Sequence, residues 1–444
     1  MGGLTPIMDA AAEYIARGNI RMHTPGHAGK AEALPAWFSD FARYDLTELP
    51  GLGSLYEPDG PIARSEELAA RLFGAGQTLF SAGGNTLCIQ TMLSVLPRGS
   101  RVLMPRSAVH RSAINAAALL GLEPVFVPAG GNAVDMAAAA ALMEEHRPVG
   151  IYVTSPDYYG RMADIAALAV LAESYGVPLM ADNAHGSHLK FVRPDLHPLT
   201  LGAHLTADSA HKTLGVLTGG AMLHARKGYV PPRPLKELMA VFGSTSPGYP
   251  VLMSIEYACA ELAQNGGQRY VWLAEKVKSL RNVAARCGFG VIDGDCDPIR
   301  LAVNGRALGF TGRELFDRFA QNSLMPEWAD ESWCVMLPSA FASEDELDTA
   351  GGIIQKLAED GGCALPEGDE AYAGGHIPAR RVPLGQAMAA PAHRIQVSEA
   401  VGRVSARTVS LCPPGVPVLV AGEEIDVISR DALINSGIFS VEVL

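Results

Sequence analysis

Short apolar segments alternate with helical segments between residues 62 and 224, and no other feature of the sequence constrains the fold as strongly. The apolar segments have the length of β-strands, and the segments between them have the length and spacing of helices. Strands that alternate with helices are typical of a mostly parallel sheet with helices on both faces. The sequence therefore predicts an α/β fold for this part of the chain.

The predicted strands share a common pattern, in which an apolar segment is followed by polar residues. They are Thr78–Ser81, Arg101–Met104, Pro124–Val127, Gly150–Thr154, Pro178–Ala181, Leu205–Ala207 and Ala221–His224. The predicted helices between them are Ile62–Phe73, Leu87–Leu96, Ser112–Leu120, Ala133–His146 and Ile165–Tyr175. Ligands bind at the carboxyl ends of the strands in such sheets, so we expect a ligand site at this edge.

The remaining segments predict smaller elements around this sheet. They are an amphipathic helix at 7–18, a loop-rich segment at 19–60, one long helix or two over 251–285, a smaller α+β unit at 289–360, a glycine-rich hinge at 359–363, and a final segment at 378–444 with a helix at 384–389 and short strands around Pro413–Pro417. We divide the chain into an N-terminal helix and active-site loop segment (1–60), a large domain (61–250), a linking helix with a small α+β domain (251–360) and a C-terminal domain (361–444).

The bulk composition excludes several classes of partner. The 444 residues include 35 Lys and Arg against 47 Asp and Glu, a formal charge of −12, so nucleic acid is not an expected partner. No run of eighteen apolar residues predicts a membrane span, and the N-terminus lacks the pattern of a secretory signal. Seven scattered cysteines without a Cys-x-x-Cys pair predict reduced thiols in the cytoplasm.

Two polar segments carry the most specific chemistry, Asp182-Asn-Ala-His185-Gly and Ser209-Ala-His211-Lys212-Thr. Asp182 ends an apolar strand, and Lys212 follows the next strand along the chain. A lysine amine can form a Schiff base with an aldehyde. A carboxylate opposite a pyridine nitrogen keeps the ring protonated, so that the ring can accept electrons. The two side chains together predict a pyridoxal 5'-phosphate site in the large domain.

The segment 81–86, Ser-Ala-Gly-Gly-Asn-Thr, joins a strand to a helix. Its glycines let backbone N–H groups approach a phosphate, and the helix N-terminus attracts an anion. Asn85 and Thr86 add side-chain donors. By itself the segment is equally typical of a capped strand–helix turn. Ser209, beside the lysine, is a further candidate phosphate donor.

Other polar residues have both a functional and a structural interpretation. His110 could stack on an aromatic cofactor ring, or it could be a solvated residue at a helix start. Ser155, Asp157, Tyr158 and Tyr159 could line the cofactor edge, or they could form a turn. His211 could contact the substrate carboxylate or transfer a proton, or it could be a solvated turn residue. The hydroxyls of 244–246 could cap the following helix, or donate to a phosphate that belongs to the other subunit of a dimer.

Asp182, His185 and His188 offer three side chains that are able to bind a metal ion. On a helix, residues at this spacing point in diverging directions, so one face cannot hold all three. Asp182 also ends a strand, and Ala184 presents a methyl group suited to packing against a ring. We therefore predict no metal site here.

These motifs resemble the bacterial ornithine/lysine/arginine decarboxylases of fold type I, the aspartate aminotransferase fold, in their short form without an N-terminal wing domain. The resemblance extends over nearly the whole chain. It is carried by Met22–His27, Asp45–Glu48, Gly83–Thr86, His110, Thr154–Pro156, Asp182–Gly186, Ser209–Thr213, Ser244–Pro247 and Pro413–Pro417. It implies a seven-stranded-type large domain that binds pyridoxal phosphate, with smaller α+β domains after it.

The resemblance also implies roles for single residues. Lys212 would be the Schiff-base lysine, Asp182 the partner of the ring nitrogen and His110 the stacking residue. His185 and His211 would lie near the reacting carbon. The implied phosphate contacts are Gly84, Asn85, Thr86 and Ser209, with Thr245 or Ser246 reaching across a homodimer or a higher even oligomer. Glu327 matches an acidic position that would contact a cationic substrate end.

The function implied by the resemblance is decarboxylation of arginine, lysine or ornithine to an amine of polyamine metabolism. Three positions near the expected substrate entrance depart from the family pattern: Gly53 and Ser54 stand where two acids are common, and Gly219 stands where glutamine is usual. An aminotransferase or a Cβ/Cγ lyase on the same fold is therefore the alternative function. A catalytically inactive homologue is a third possibility.

Overall fold

The computed structural model describes residues 3–129, 134–366, 376–410 and 415–444. The predicted motif Pro413–Pro417 lies partly outside the described residues. Ala133, the predicted start of one helix, also lies outside them. The chain divides into two compact units. The first comprises residues 1–95, 180–191 and 195–267, and the second comprises 96–179, 192–194 and 268–444.

The strands include every one predicted between residues 78 and 224. They are β1 (Gln77–Ser81), β2 (Arg101–Pro105), β3 (Glu123–Val127), β4 (Ile151–Thr154), β5 (Leu179–Asp182), β6 (Leu205–Asp208), β7 (Ala221–Ala225), β8 (Gly290–Val291), β9 (Leu301–Asn304), β10 (Trp328–Ala329), β11 (Cys334–Met336), β12 (His393–Gln396), β13 (Val409–Ser410), β14 (Pro417–Leu419) and β15 (Ser440–Val443).

The helices include all those predicted and four that were not. They are α1 (Pro6–Ala16), α2 (Phe41–Tyr44), α3 (Gly60–Phe73), α4 (Gly84–Leu93), α5 (Arg111–Leu120), α6 (Met136–His146), α7 (Ile165–Tyr175), α8 (Ala210–Thr213), α9 (Leu235–Phe242), α10 (Tyr249–Asn265), α11 (Gln268–Arg286), α12 (Gly312–Gln321), α13 (Glu344–Glu359), α14 (Leu384–Ala389) and α15 (Val427–Asn435). The four that were not predicted are α2, α8, α9 and α15. No helix of the described residues has the length and hydropathy needed to cross a bilayer.

In the first unit the strand order is β1-β7-β6-β5. Strands β5 and β6 are parallel, with Asp182 opposite Ala207, and β7 runs antiparallel to both β6 and β1. All residues of β5, β6 and β7 are buried, which explains why these strands appear in the sequence as continuous apolar segments.

In the second unit the order is β4-β2-β3, and both pairs are parallel. The predicted α/β class with a mostly parallel sheet is thereby confirmed. The same unit contains the antiparallel sheet β10-β11-β9-β8 and the two-stranded antiparallel pairs β12–β15 and β13–β14, which correspond to the smaller domains expected toward the C-terminus. The domain boundaries themselves stay a prediction.

Residues 251–285 form two helices, and the break has a steric cause. Gly266 and Gly267 both have positive φ, at 62° and 71°. A Cβ on Gly267 would stand 2.5 Å from the Cβ of Phe191. Only glycine adopts a positive φ without strain and also leaves room for Phe191, so α10 ends here and α11 begins at Gln268.

A buried ion pair ties the C-terminal segment to β2 within the second unit. Arg106 directly follows β2, and its Nη2 lies 3.1 Å from Glu423 Oε2. The exposed fractions of the two side chains are 0% and 1%. Arg106 also donates to the carbonyl of Val418, and its guanidinium lies over the ring of Phe126 at 4.9 Å. Removing either partner would leave an uncompensated buried charge.

The N-terminal helix is held by a buried carboxylate on α10. Glu256 accepts hydrogen bonds from the backbone N–H groups of Ile7 (2.7 Å) and Met8 (2.8 Å), in the first turn of α1. These N–H groups have no partner within their own helix, and the helix dipole favours a negative charge at this end. Burial nevertheless raises the pKa of Glu256 from 4.5 to about 7, because it outweighs the hydrogen bonds that lower it.

We expect Glu256 to make the stability of the protein fall with rising pH. The folded state binds this proton more tightly than the unfolded chain does, so the contribution is complete below pH 4.5 and is lost as pH rises through about 7. The unfolding free energy of wild type relative to Glu256→Gln should fall by about 3 kcal/mol across this window. Urea titrations followed by circular dichroism measure it. The control is Glu67→Gln, on the exposed face of α3, for which the difference in unfolding free energy from wild type should be the same at every pH. The same constancy for Glu256→Gln would contradict the prediction.

Candidate active site

The ends of β5 and β6 bring the two most specific sequence motifs together. Asp182 is the last residue of β5 and is only 1% exposed. Asp208 ends the neighbouring parallel strand, and Ser209 is the N-cap of the short helix α8, which carries His211 and Lys212. Because the carboxyl ends of parallel strands meet at one edge of a sheet, the motifs around 182 and 212 share this edge.

The amine of Lys212 contacts the motif that begins at Asp182. Lys212 Nζ lies 2.8 Å from Nε2 of His185, three residues after Asp182. Lysine in its charged form has only donors, so Nε2 of His185 is the acceptor in this hydrogen bond. The Lys212 side chain is exposed at the edge of the first unit. The structure thus brings the predicted lysine and one of the two predicted catalytic histidines into direct contact.

The carboxylate of Asp182 is oriented by two donors. Its Oδ1 accepts from the side-chain amide of Asn85 at 2.9 Å and from the backbone N–H of Ala184 at 3.2 Å. Oδ1 of Asn85 is buried and has no hydrogen-bond partner among the described residues. The sequence predicted Asn85 as a phosphate contact, and that role stays a prediction; its side-chain amide is directed toward Asp182.

The predicted phosphate segment forms the open end of helix α4. This helix begins at Gly84, not at Leu87 as predicted, so that Asn85 and Thr86 lie in its first turn. Within the described part of the chain, no side chain caps it. Gly84 has a φ of 70°, and its N–H donates to the carbonyl of Gly219 at 2.8 Å. In the same turn Asn85 is buried and Thr86 is exposed.

Gly219, one of the three departures from the family pattern, has a φ of 95°. A side chain at this φ would be strained, and the carbonyl of Gly219 accepts the hydrogen bond from the N–H of Gly84. Gly53, the first of the other two, has a φ of 80°, and its carbonyl accepts a hydrogen bond from the Tyr249 hydroxyl at 2.6 Å. These two departures therefore occur where the backbone conformation favours glycine.

His211 is held by the loop that follows α8. Its Nδ1 lies 3.0 Å from the carbonyl oxygen of Gly220. A carbonyl only accepts, so Nδ1 carries a hydrogen and the lone pair of the neutral ring is on Nε2. Ser209 is buried, and its Oγ lies 3.4 Å from the same Nδ1. Nε2 of His211 is therefore the atom that can exchange a proton.

The hydroxyl loop 244–246 does not cap the helix that follows it. The N-cap of α10 is Gly248, and Ser244 Oγ accepts from the backbone N–H of Ser246 at 3.1 Å. Ser244, Thr245 and Ser246 are all exposed in the first unit. Of the two interpretations of this loop, the helix cap is wrong, and the contact with a phosphate stays a prediction for Thr245 and Ser246.

His110 lies in the second unit, at the N-cap of α5. Its Nδ1 accepts from the backbone N–H of Ser112 at 3.2 Å and lies 2.7 Å from the Ser112 hydroxyl. Gly415 packs against the ring so closely that a Cβ there would stand 2.5 Å from Nε2. His110 is therefore a fixed capping residue in this unit, and its role in stacking stays a prediction.

The residues after β4 form a turn that meets the small sheet of the second unit. Asp157 accepts from the N–H groups of Tyr159 and Arg161, which is the turn interpretation of this segment. The Tyr158 hydroxyl donates to Glu327 at 3.0 Å, and the Tyr159 hydroxyl donates to Asp330 at 2.7 Å. Burial, with the Asp330 carboxylate beside it, raises the pKa of the Tyr159 hydroxyl. The exposed Glu327 thus has a fixed hydrogen-bond partner.

One buried group of possible metal ligands occurs among the described residues, and the sequence did not predict it. It consists of His197, Asp208 and His224, whose ligand atoms lie within 4.8 Å of one another. His197 Nε2 lies 2.9 Å from Asp208 Oδ2, and His224 Nε2 lies 3.8 Å from the same oxygen. Asp182, His185 and His188, the set weighed and set aside in the sequence, are not among the residues of this group.

Hydrogen bonding argues that this group is not a metal centre. Nδ1 of His197 accepts the backbone N–H of Leu199, so in the neutral ring the hydrogen is on Nε2, the atom that faces Asp208. An Nε2 that carries a hydrogen cannot bind a metal ion. Burial lowers the pKa of His224 to about 4, and the imidazoles lower the pKa of Asp208 although burial raises it. Asp208 could have been suspected from the sequence, because an acid that ends an apolar strand needs a buried partner.

Comparison with known proteins gives consistent matches over most of the chain. The sequence model of the Orn/Lys/Arg decarboxylase major domain matches residues 5–289, and that of the Orn/Lys/Arg decarboxylase C-terminal domain matches residues 384–433. An arginine decarboxylase of Bacillus anthracis is 29% identical over 97% of this chain and 92% of its own length.

Two solved structures show the same fold. The lysine decarboxylase LdcF of Francisella novicida has a TM-score of 0.83 at 16% identity and covers 99% of this chain and 81% of its own. Lysine decarboxylase A from Pseudomonas aeruginosa has a TM-score of 0.83 at 18% identity and covers 100% of this chain and 81% of its own. At these identities the two structures are evidence for the fold alone.

Proposed function

Because this chain belongs to the Orn/Lys/Arg decarboxylase family, we propose that it removes the α-carboxylate of a basic amino acid with pyridoxal 5'-phosphate bound at Lys212. The family resemblance inferred from the motifs is confirmed, and so are the classes of lyase and amino-acid decarboxylase. The observation that carries the proposal is the contact between Lys212 and His185, three residues from the buried Asp182.

The residues of the first unit fit the cofactor. The open N-terminus of α4, without a capping side chain among the described residues, presents N–H donors to a phosphate. Lys212 is exposed and can reach an aldehyde, and Asp182 is buried where a ring nitrogen needs a negative partner. We assign the phosphate to Gly84, Asn85, Thr86 and Ser209. Thr245 or Ser246 of a second subunit would complete this site in a homodimer or higher even oligomer.

When bound, the protonated ring of the cofactor accepts the electron pair that remains as carbon dioxide leaves. The chain's own residues supply orientation and protons. Asn85 holds one oxygen of Asp182, and this fixes the plane of its carboxylate. His185 holds the amine of Lys212, and His211 first accepts a proton at Nε2 and then returns it to the substrate carbon. We retain His110 as the stacking residue.

Arginine is the substrate that we propose first, because the relative similar over nearly its whole length is named an arginine decarboxylase. The test is to incubate the purified protein and pyridoxal phosphate with arginine, lysine or ornithine, and to follow carbon dioxide and amine together. Equal amounts of gas and amine support the proposal. Keto-acid-dependent amine transfer without gas would favour an aminotransferase, and the absence of a visible chromophore would favour an inactive homologue.

Glu327 is proposed to contact the cationic end of the substrate. Glu327→Gln should raise the KM for the basic amino acid about fivefold and leave kcat nearly unchanged, the effect of one solvent-exposed ion pair. Steady-state carbon dioxide release measures both constants. Glu331→Gln, an exposed glutamate on the same sheet region, is the control and should have no effect. An unchanged KM in Glu327→Gln would remove Glu327 from the site.

We also propose that the protein works in the cytoplasm and that its amine product enters polyamine metabolism. The cysteines of the described residues are free thiols, as expected of a reducing compartment.

A further inference from the structure

A buried carboxylate links the two strand ends that carry Asp182 and Lys212. Asp208 is fully buried and directly precedes Ser209, the N-cap of the helix with Lys212. Its Oδ1 accepts the side-chain amide of Asn183 at 3.0 Å, and Asn183 directly follows Asp182. The backbone N–H of Asn183 also donates to the carbonyl of Ala207 at 2.9 Å. Side chain and backbone therefore both connect the two strand ends.

The second oxygen of Asp208 is held from the opposite side. His197 Nε2 donates to Oδ2 at 2.9 Å, and the backbone N–H of Leu199 fixes the tautomer of that imidazole. Gly186, in the motif after Asp182, makes room for this arrangement, because a Cβ there would stand 1.9 Å from Oδ1 of Asn183. His197 thus orients the carboxylate of Asp208, and that carboxylate in turn orients the side-chain amide of Asn183.

We propose that Asp208, held by His197, is a positioning residue that acts through Asn183 to keep Asp182 and Lys212 in register for the cofactor. This inference depends on the proposed function, because it assigns a role relative to Lys212 and Asp182. A solvent-excluded carboxylate is costly, and this one is retained at the strand end next to the lysine helix. A hydrophobic residue could fill the same volume but could not accept the hydrogen bond from the side-chain amide of Asn183.

The test replaces the carboxylate by its amide, Asp208→Asn. The amide has one acceptor for two donors, so either Asn183 or His197 must face an N–H group. We expect the dissociation constant for pyridoxal phosphate, from equilibrium binding to the cofactor-free protein, to rise about tenfold, as one unmade buried hydrogen bond would produce. The pH midpoint of the visible absorbance of the bound cofactor should rise by roughly one unit. A displaced Asp182 stabilises the positive ring less, and the lysine nitrogen then holds its proton more tightly.

The matched control is Thr78→Val, which removes the hydrogen bond from Thr78 Oγ1 to His224 Nδ1 (2.8 Å) and does not touch Asp208 or Asn183. It should lower the unfolding temperature but leave the cofactor affinity and the pH midpoint as in wild type. If Thr78→Val moves these two quantities as far as Asp208→Asn does, or if Asp208→Asn moves neither, the inference is wrong.

Asn183→Ala is a second variant that keeps the Asp208–His197 pair intact, in case Asp208→Asn does not fold. It should shift the same pH midpoint in the same direction, and a wild-type midpoint and affinity in this variant would overturn the inference. Failure of the proposed function would look different, because wild type itself would then show no lysine-bound cofactor or no release of carbon dioxide.

Discussion

Replacing Lys212 by alanine is expected to abolish the visible absorbance of the bound cofactor and to lower kcat for the preferred basic amino acid by roughly 10⁴-fold. The amine proposed to bond to the cofactor aldehyde is lost, together with a group that can transfer protons at the substrate carbon. His185 also loses the partner that lies 2.8 Å from its Nε2. Absorbance spectra and carbon dioxide release measure the two effects.

Two further variants make this result specific. Lys212→Arg keeps a positive charge beside His185 but cannot form the covalent bond, so it should be as inactive as alanine. Lys278→Ala, an exposed lysine of α11, should retain the absorbance and the activity of wild type. A Lys212→Ala protein that keeps the visible band after dialysis would show that another group holds the cofactor.

Asp182→Asn is expected to lower kcat by roughly 10²–10³-fold while the protein still folds and binds the cofactor. Asparagine keeps an oxygen that can accept from Asn85 and from the backbone N–H of Ala184. It removes the negative charge proposed to keep the ring nitrogen protonated, so the ring would become a weaker acceptor for the electron pair. Single-turnover release of carbon dioxide, with the spectrum recorded in parallel, separates this effect from a loss of binding.

The control for Asp182→Asn is Asp164→Asn, at the N-cap of α7. The Asp164 carboxylate accepts from the backbone N–H of Ala167, and asparagine caps a helix equally well, so activity should be unchanged. An Asp182→Asn enzyme with the kcat of wild type would mean that the ring nitrogen has another partner or works unprotonated.

The elements of the sheet were predictable because of how deeply they are buried. A parallel strand covered on both faces needs apolar residues at every position, as in β4 and β5, and such segments are visible without any structure. The contact of Lys212 with the motif that begins at Asp182 was predictable for a related reason, since Asp182 ends one such strand and Lys212 follows the next. The antiparallel direction of β7 was not predicted, because nothing in an apolar segment encodes its direction.

The supporting contacts of the site could not be predicted from the sequence. Asn85 follows two glycines, a context typical of a phosphate loop, but the side-chain amide reaches Asp182 across 97 positions of sequence. Asp208 ends an apolar strand and so implies a buried partner, but nothing in the sequence identifies that partner as His197. Such partners depend on how segments pack, and the local pattern of residues does not record that packing.

The buried pair of Arg106 and Glu423 has an evolutionary consequence. A lineage that lost or exchanged its last sixty or so residues would leave the guanidinium of Arg106 buried without its carboxylate partner. The folded state would be destabilised by several kcal/mol. The C-terminal segment is therefore not a module that recombination can move independently of the segment after β2. Among descendants of this protein, we expect substitutions at 106 and 423 to arise together, as compensating changes, or not at all.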